Sequence, residues 1–108
     1  MNSYIVFPKV QKQIDEICLY TEERWGRKQV ERYMAGMHSQ FQKLADEEIA
    51  WKSVDHLFKA QDEIPPALQD MYMSNYEKHV IYFKPLDDTT IGIMNILHGS
   101  MDMPSRLL

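Results

Sequence analysis

Two stretches of the N-terminal half repeat apolar residues every three or four positions, with charged and polar residues between them. That period is typical of an α-helix that buries one face. The apolar positions of the first stretch are Val10, Ile14, Ile17 and Cys18. It follows Pro8, which suits a helix start, and reaches Gly26, which can adopt the left-handed backbone that ends helices. The sequence therefore predicts a first helix between Pro8 and Gly26.

The second stretch runs from about Arg27 to Ala45 and has the more regular pattern. Its apolar stripe consists of Val30, Tyr33, Met34, Met37, Phe41 and Leu44. Only a few residues separate this stretch from the first, so the two helices are expected to pack as an antiparallel hairpin.

Strand-like segments lie on both sides of this hairpin. Residues 3–7 form a short apolar run that ends at Pro8, which predicts a short edge strand. Residues 46–60 fit either another short helix or an irregular loop, and Pro65-Pro66 prevents a helix from continuing beyond them. After these prolines, three segments have strand composition: residues 70–74, 78–84 and 90–97.

The last of these strands is apolar on both faces. Simple alternation places Ile91, Ile93 and Leu97 on one face. Met94 and Ile96 fall on the other face, a pattern typical of a strand that is central or covered by helices. The predicted fold is α+β, with an N-terminal edge strand and an αα-hairpin packed on one side of a mostly antiparallel sheet of three to four strands.

Length and composition fit a single globular domain spanning residues 1–108. Hydrophobic residues make up 44% and charged residues 26%, and no apolar run approaches the roughly 20 residues of a membrane helix. The first residues lack the basic region and long apolar stretch of an export signal. Because Cys18 is the single cysteine and cannot form an internal disulfide, we expect a cytoplasmic protein with no membrane association.

The charge of the chain is uneven. Residues 9–43 carry seven Lys and Arg against five Asp and Glu, whereas residues 44–108 carry five against eleven, and the net charge is −4. Proteins that hold nucleic acid by its phosphates are normally basic. Direct binding of nucleic acid is therefore not expected, although a local basic site remains open.

Four segments, in this order along the chain, resemble the ParE branch of the RelE/ParE toxins. They are Ile14-x-x-Ile17-x-x-Tyr20-Thr21-x-x-x-Trp25-Gly26-x-x-Gln29, Phe41-x-x-Leu44-Ala45, His79-Val80-Ile81-Tyr82-Phe83 and Ile96-Leu97-His98-Gly99-Ser100-Met101-Asp102. In the order given, these segments resemble four elements of the family. The elements are the first helix with its turn, the end of the second helix, the penultimate strand, and the last strand with its tail. These proteins are the toxic partners of bacterial type II toxin–antitoxin pairs.

The resemblance implies the predicted fold, a cognate antitoxin as partner, and poisoning of DNA gyrase by binding rather than by turnover, without a cofactor. An antitoxin would lay an amphipathic segment along the helix hairpin and add a strand to the sheet edge. Gln69 and Asn95 stand near places where the family often carries Arg. Loss of both positive charges would weaken or redirect toxicity.

A concentrated basic patch, Arg24, Arg27, Lys28 and Arg32, surrounds the turn between the helices. It fits either a docking surface for an acidic partner or a solvated helix face paired with nearby Glu residues. Trp25, beside it, is more often a buried staple of such a turn than a binding residue. The candidates for target binding are Arg24, Trp25, Arg27, Lys28, His79, His98, Met101, Asp102 and Arg106. The candidates for antitoxin binding are Tyr33, Met37, Phe41 and Tyr82.

His79 and His98 lie at the ends of two strands that are expected to be neighbours. Depending on the register, they either meet or lie at opposite ends. If they meet, they could bind a metal or exchange a proton, but no third ligand follows at a suitable spacing, so no metal site is predicted. The plainer interpretation is that His98 bonds to the tail, for example to Asp102, and fixes the exit from the sheet.

Two other functions remain open. The first is a ribosome-dependent ribonuclease of the RelE type, for which the sheet and tail offer Lys78, Lys84, His98 and Arg106 as phosphate-binding or acid–base groups. No tail Tyr follows His98, and the acidic C-terminal half opposes docking on ribosomal RNA. The second is a detoxified relative that acts only as an antitoxin-binding or repressor module.

Overall fold

A computed structural model of the chain describes residues 2–58 and 63–99. Two helices, α1 (Pro8–Trp25) and α2 (Arg27–Ala45), follow a first strand, β1 (Ser3–Val6). The remaining strands are β2 (Lys52–Ser53), β3 (Tyr72–Tyr76), β4 (His79–Pro85) and β5 (Thr90–His98), with 3₁₀ turns at Val54–Leu57 and Pro66–Leu68. Among these residues no helix has the apolar length that a membrane span requires. The α+β prediction is confirmed.

The described residues form one sheet of five strands in the order β1-β5-β4-β3-β2. The pairing is antiparallel except between β1 and β5, which run parallel with Ser3 opposite Thr90 and Val6 opposite Ile93. The predicted three to four strands were too few, because the two-residue β2 adds a strand beside β3. The predicted N-terminal edge strand is confirmed.

The helix hairpin matches its prediction closely. Pro8 opens α1, and the single residue Gly26 separates α1 from α2. Gly26 has a φ of 85° and donates its backbone N–H to the carbonyl of Glu22. Because an L-residue rarely adopts this backbone, glycine is what allows so short a turn. The two helices consequently fold back along each other on one face of the sheet.

The main core lies between the helix hairpin and the sheet. Met37, Phe41 and Leu44 project from α2 and are fully buried. They meet side chains from the two central strands, among them Ile81, Phe83, Ile91, Ile93 and Ile96. The apolar stripe predicted for α2 therefore faces the sheet, as its 3.6-residue period requires.

A second apolar cluster covers the opposite face of the sheet. It consists of Val54, Leu68, Met71, Met73, Val80 and Tyr82, with both 3₁₀ turns over it. Residues 46–60, which fitted either a short helix or a loop, thus contain the strand β2 and a 3₁₀ turn, and Val54 from this segment belongs to the second cluster. Trp51 also closes the end of α2, because its indole Nε1 donates to the carbonyl of Leu44 over 2.8 Å.

A β-bulge in β5 corrects the predicted faces of that strand. Tyr82 pairs with Asn95 but Phe83 pairs with Ile93, so Met94 is the extra residue. A shift of one residue exchanges the two faces of a strand. Ile96 therefore joins the helix-side core, whereas Leu97, predicted beside Ile91 and Ile93, packs on the opposite cluster.

The strand predicted at residues 70–74 lies two residues later, at Tyr72–Tyr76. Asp70 has a φ of 59° and belongs to the turn after Pro66–Leu68, so it cannot begin the strand. Glu77, with a φ of 52°, and Lys78 then form the tight turn into β4. This turn places Tyr76 directly opposite His79.

Candidate functional site

A groove of about 1020 Å³ opens where the helix hairpin meets one end of the sheet. Its walls come from the C-terminal half of α1, the first turns of α2, the turn between β3 and β4, and the end of β5. The polar and aromatic side chains that line it include Gln13, Glu16, Tyr20, Arg24, Trp25, Gln29, Arg32, Tyr33, Tyr76, Glu77, Lys78, His79 and His98.

Large aromatic side chains stand exposed along the helical wall. Trp25 is 69% exposed and Tyr20 is 57% exposed. The interpretation of Trp25 as a buried staple is wrong, because α1 ends at Trp25 and, within the described part of the chain, the one-residue turn that follows leaves its side chain exposed. The guanidinium carbon of Arg24 lies 5.0 Å from the centre of the Tyr20 ring, a cation–π distance. Exposed aromatics beside Arg are typical of a binding surface.

The charge inside the groove differs from that of the whole chain. Arg24, Arg32 and Lys78 line it together with two carboxylates, Glu16 and Glu77. The walls therefore carry one more positive than negative group, whereas the chain has a net charge of −4. The groove is a locally basic site, a possibility that the uneven charge of the sequence leaves open.

The four residues of the predicted basic patch do not share one surface. Arg24 and Arg32 face the groove, but Arg27 and Lys28 do not line it. Nη1 of Arg27 instead lies 3.9 Å from Oε1 of Glu22, and both side chains are well exposed. Arg27 therefore fits the interpretation of the patch as a solvated helix face paired with Glu. An ion pair this exposed contributes little to the stability of the fold.

The question of the two histidines is resolved by the register. His79 and His98 are direct partners across β4 and β5. Their ring centres are 5.6 Å apart and the planes are inclined by 80°. Both line the groove. Burial, and secondarily the charge of His98, lowers the pKa of His79 below its usual value.

Helix α2 reaches this pair through Tyr33. The Tyr33 hydroxyl and Nδ1 of His79 share a hydrogen bond of 2.5 Å. Burial raises the pKa of Tyr33 to about 12, so its hydroxyl stays protonated and can donate at neutral pH. Tyr76 in turn donates its hydroxyl to the backbone carbonyl of Tyr33 over 2.8 Å. Two tyrosine hydroxyls thus connect α2 with this end of the sheet, that of Tyr33 through His79 and that of Tyr76 through the Tyr33 carbonyl.

Glycine at position 36 makes room for this contact. A Cβ there would overlap the hydroxyl of Tyr76. Glycine in the middle of a helix is costly, and its usual reason is the close approach of another group. That signal was present in the sequence, but Gly36 and Tyr76 were not among the predicted site residues.

Gln13 of α1 holds the bulge of β5 at the base of the groove. Its Nε2 donates to Oδ1 of Asn95 over 3.0 Å, and its Oε1 accepts the backbone N–H of Ile96 over 2.9 Å. Asn95 is only 5% exposed. Asn95, which lies near a place where the resemblance to ParE toxins implies an Arg, is therefore an internal anchor in this chain. Gln13 was also absent from the predicted set, because a single polar residue on a helix carries no pattern.

The predicted antitoxin contacts divide differently. Tyr33 lines the groove, but Met37, Phe41 and Tyr82 are fully buried in the two cores. They point toward the sheet interior, so a partner that docks on this conformation cannot reach them. The surface available to a partner is instead formed by Tyr20, Trp25 and the residues around them.

Three target-binding candidates, Met101, Asp102 and Arg106, lie outside the described residues. The predicted bond from His98 to the tail or Asp102 lies outside them as well. Within residues 2–58 and 63–99 no three His, Cys, Asp or Glu side chains converge as metal ligands. Gln69 is exposed in a turn, and its amide donates to the carbonyl of Ile64 over 3.4 Å.

Comparison with known proteins decides the family. Residues 4–103 match the family described as the ParE toxin of the type II toxin–antitoxin system, parDE. The chain belongs to the ParE toxin family. It is 31% identical over 107 residues to Toxin ParE of Escherichia coli, an alignment that covers 99% of this chain and 94% of that protein. It is also 25% identical over 106 residues to Toxin ParE1 of Mycobacterium tuberculosis, covering 98% of each.

Three of the four ParE-like segments meet at the groove, whereas Phe41, Leu44 and Ala45 of the second segment lie in the core. Tyr20, Trp25 and Gln29 come from the first segment, His79 from the third and His98 from the fourth. They are separated by as many as 78 positions along the chain, yet they line one concavity. The groove is therefore the candidate functional site of this ParE family member.

Proposed function

We propose that the chain is a cytoplasmic toxin that inhibits DNA gyrase by binding, and that a cognate antitoxin neutralises it. The observation that carries this proposal is the groove with exposed Trp25 and Tyr20 at a locally basic wall. Trp, Tyr and Arg dominate the binding energy of protein interfaces. No turnover is needed for such a function, because occupation of the target is sufficient.

The shape of the groove suits a peptide segment of a partner protein. Its volume of about 1020 Å³ is at the upper end of the usual small-molecule pocket, roughly 300–1,000 Å³. It lies between a helix hairpin and a sheet end, so an amphipathic helix or an extended segment fits along it. We assign this site to the antitoxin.

The sheet edge beside the groove supports strand addition by the antitoxin. β1 pairs with Thr90–Ile93 of β5, whereas from Met94 to His98 no described strand lies on that side. The Ile96 N–H is occupied by Gln13, so the edge is only partly satisfied. An extended antitoxin segment can pair with such an edge while its side chains enter the groove.

The direct test is a gyrase supercoiling and DNA-cleavage assay with the purified chain. Inhibition with accumulation of cleaved DNA, abolished by an equimolar amount of the antitoxin from the adjacent reading frame, is the expected result. No effect on gyrase at large excess, with growth arrest retained on expression, would reject gyrase as the target. Absence of growth arrest as well would identify a detoxified relative.

A second candidate, the RelE-type ribonuclease, has one observation in its favour. Lys78, His79 and His98 meet at one end of a groove that also holds Arg24 and Arg32. Cations for a scissile phosphate and imidazoles for proton transfer are what that reaction requires. Lys84, predicted for the same role, pairs with Gly92 elsewhere on the sheet and does not line the groove.

Messenger RNA from cells that express the chain distinguishes this candidate. Ribosome-dependent cuts that disappear in the His98→Gln and Lys78→Ala variants would establish the ribonuclease. Intact messenger RNA during growth arrest would exclude it and leave binding as the mode of action.

A further inference from the structure

We propose that the antitoxin segment that fills the groove presents a carboxylate to the His79–His98 pair, so that binding takes up a proton and tightens as the pH falls. This inference rests on the proposed function, since it takes the groove as the antitoxin site. It adds that the antitoxin carries a carboxylate at the His79–His98 pair, and that its binding depends on pH for this reason.

The geometry of the pair supports this contact. The two imidazoles lie edge to face across neighbouring strands at a centre distance of 5.6 Å, and both border the groove. Nδ1 of His79 is engaged by the hydroxyl of Tyr33, which holds the ring in place. An acceptor entering from the groove therefore meets an oriented ring rather than a mobile one, which lowers the entropy cost of binding.

The charge of the groove also favours a carboxylate there. Besides the pair itself, the titratable and charged groups that line the groove include Glu16 and Arg24 from α1, Arg32 and Tyr33 from α2, Tyr76 from β3, and Glu77 and Lys78 from the turn. Three of these are permanent cations and two are carboxylates. Both phenols have raised pKa values and remain neutral. An added carboxylate thus meets an excess of positive charge.

Proton linkage follows from this contact. In the free protein, burial and the nearby His98 disfavour the charged form of His79. A carboxylate brought within about 4–6 Å favours the charged form of an imidazole and so raises its pKa. His79 is then neutral before binding and protonated after it at pH values between its free and bound pKa. Affinity must rise with falling pH across that window, by up to about tenfold per pH unit for one proton.

The experiment is calorimetric titration of the intact chain with the antitoxin from the adjacent reading frame. Titrations at about pH 6 and about pH 8, each in two buffers of different ionisation enthalpy, give the affinity and the protons taken up. We expect about tenfold tighter binding at the lower pH, with net uptake of a proton. Affinity that is equal or weaker at the lower pH, or no proton uptake, overturns the inference.

Variants locate the effect. His79→Gln and His98→Gln are each expected to flatten the pH dependence. His98 lies at the exposed end of β5, so its variant tests the inference even where His79→Gln does not fold. His56→Gln is the matched control, because His56 is exposed and bonds to the carbonyl of Ser53 outside the groove. A pH dependence that survives both groove variants overturns the inference.

A change in the signal of the Trp25 indole on antitoxin binding distinguishes failure of this inference from failure of the proposed function. If the antitoxin binds and changes the indole signal without a pH effect, the groove is the antitoxin site and the carboxylate–histidine contact is wrong. If it binds without any change at Trp25, the groove is not the antitoxin site, and the proposed function fails at that point.

Discussion

Gln13 on α1 donates a hydrogen bond of 3.0 Å to Asn95 on β5, and the same side-chain amide accepts the backbone N–H of Ile96. One side chain thus satisfies two polar groups at the bulge, on the side of β5 where no described strand pairs with residues 94–98. Since buried polar groups are costly when unpaired, this contact fixes the position of the helix hairpin on the sheet.

Gln13→Ala is therefore expected to destabilise the protein by about 1–3 kcal/mol, because the Asn95 side chain and the Ile96 N–H both lose their hydrogen bond to Gln13. Urea unfolding followed by circular dichroism measures the change. Gln11→Ala is the control, since Gln11 is exposed and its side chain bonds to Asp15 one turn away. Equal effects of the two substitutions would show that Gln13 does not anchor the bulge.

Gly36→Ala is expected to destabilise by about 1–3 kcal/mol, because the new methyl group overlaps the Tyr76 hydroxyl. The sign is informative, since the same change at an unobstructed helix position stabilises by about 1 kcal/mol. Combination with Tyr76→Phe removes the overlapping atom, so the double variant should lose less than the sum of the two single changes. A strictly additive double-mutant cycle would mean that the two side chains do not meet.

Tyr82→Phe is expected to leave stability unchanged or to raise it by up to about 1 kcal/mol. Tyr82 is fully buried, and its hydroxyl has no hydrogen-bond partner among the described residues. An unpaired buried hydroxyl carries its desolvation cost without return. Tyr76→Phe provides the contrast, because it removes the bond to the Tyr33 carbonyl and should cost about 1 kcal/mol. Thermal unfolding of both variants tests the pair, and a clear loss of stability in Tyr82→Phe would contradict the assignment.

Trp25→Ala is expected to separate function from folding. With 69% of the residue exposed, its removal should change stability by no more than about 0.5 kcal/mol. Loss of a central aromatic contact should weaken partner binding by about 2 kcal/mol or more, roughly thirtyfold. Leu19→Ala is matched to it, being 64% exposed on the same helix but outside the groove. Gyrase inhibition and antitoxin affinity unaffected by Trp25→Ala would remove the groove from the mechanism.

The helix hairpin was predictable because nearly all the apolar residues of its pattern pack against the same core. Pro8 and Gly26 added the two boundaries, and the structure places them there. The bulge at Met94 was not predictable, since it depends on Gln13, which lies 82 positions from Asn95 in the sequence. A two-residue strand such as β2 is likewise too short to show any alternation.

The site was only partly predictable for a related reason. Residue type identified Arg24, His79 and His98 as chemically capable groups, but only the register of β4 with β5 shows that the two histidines meet. Trp25 fitted two interpretations, a buried staple and a target-binding residue, because the sequence does not show whether another side chain packs over an aromatic at a turn. Met37, Phe41 and Tyr82 were assigned to a surface for the opposite reason: their pattern was correct, but it faces inward.

Acid is expected to loosen the end of the sheet through His79. Its pKa in the folded chain lies below the ordinary value of 6.5, because burial and the neighbouring His98 oppose its charge. The unfolded state therefore binds a proton at a higher pH than the folded state, and the stability contributed by neutral His79 is lost as the pH falls below about 6.5. His98→Gln removes one of the two causes, so the loss on acidification should shrink, whereas His56→Gln should leave it as it is. Chemical unfolding at a series of pH values measures this slope. A slope that is the same in all three proteins would show that the pair does not control it.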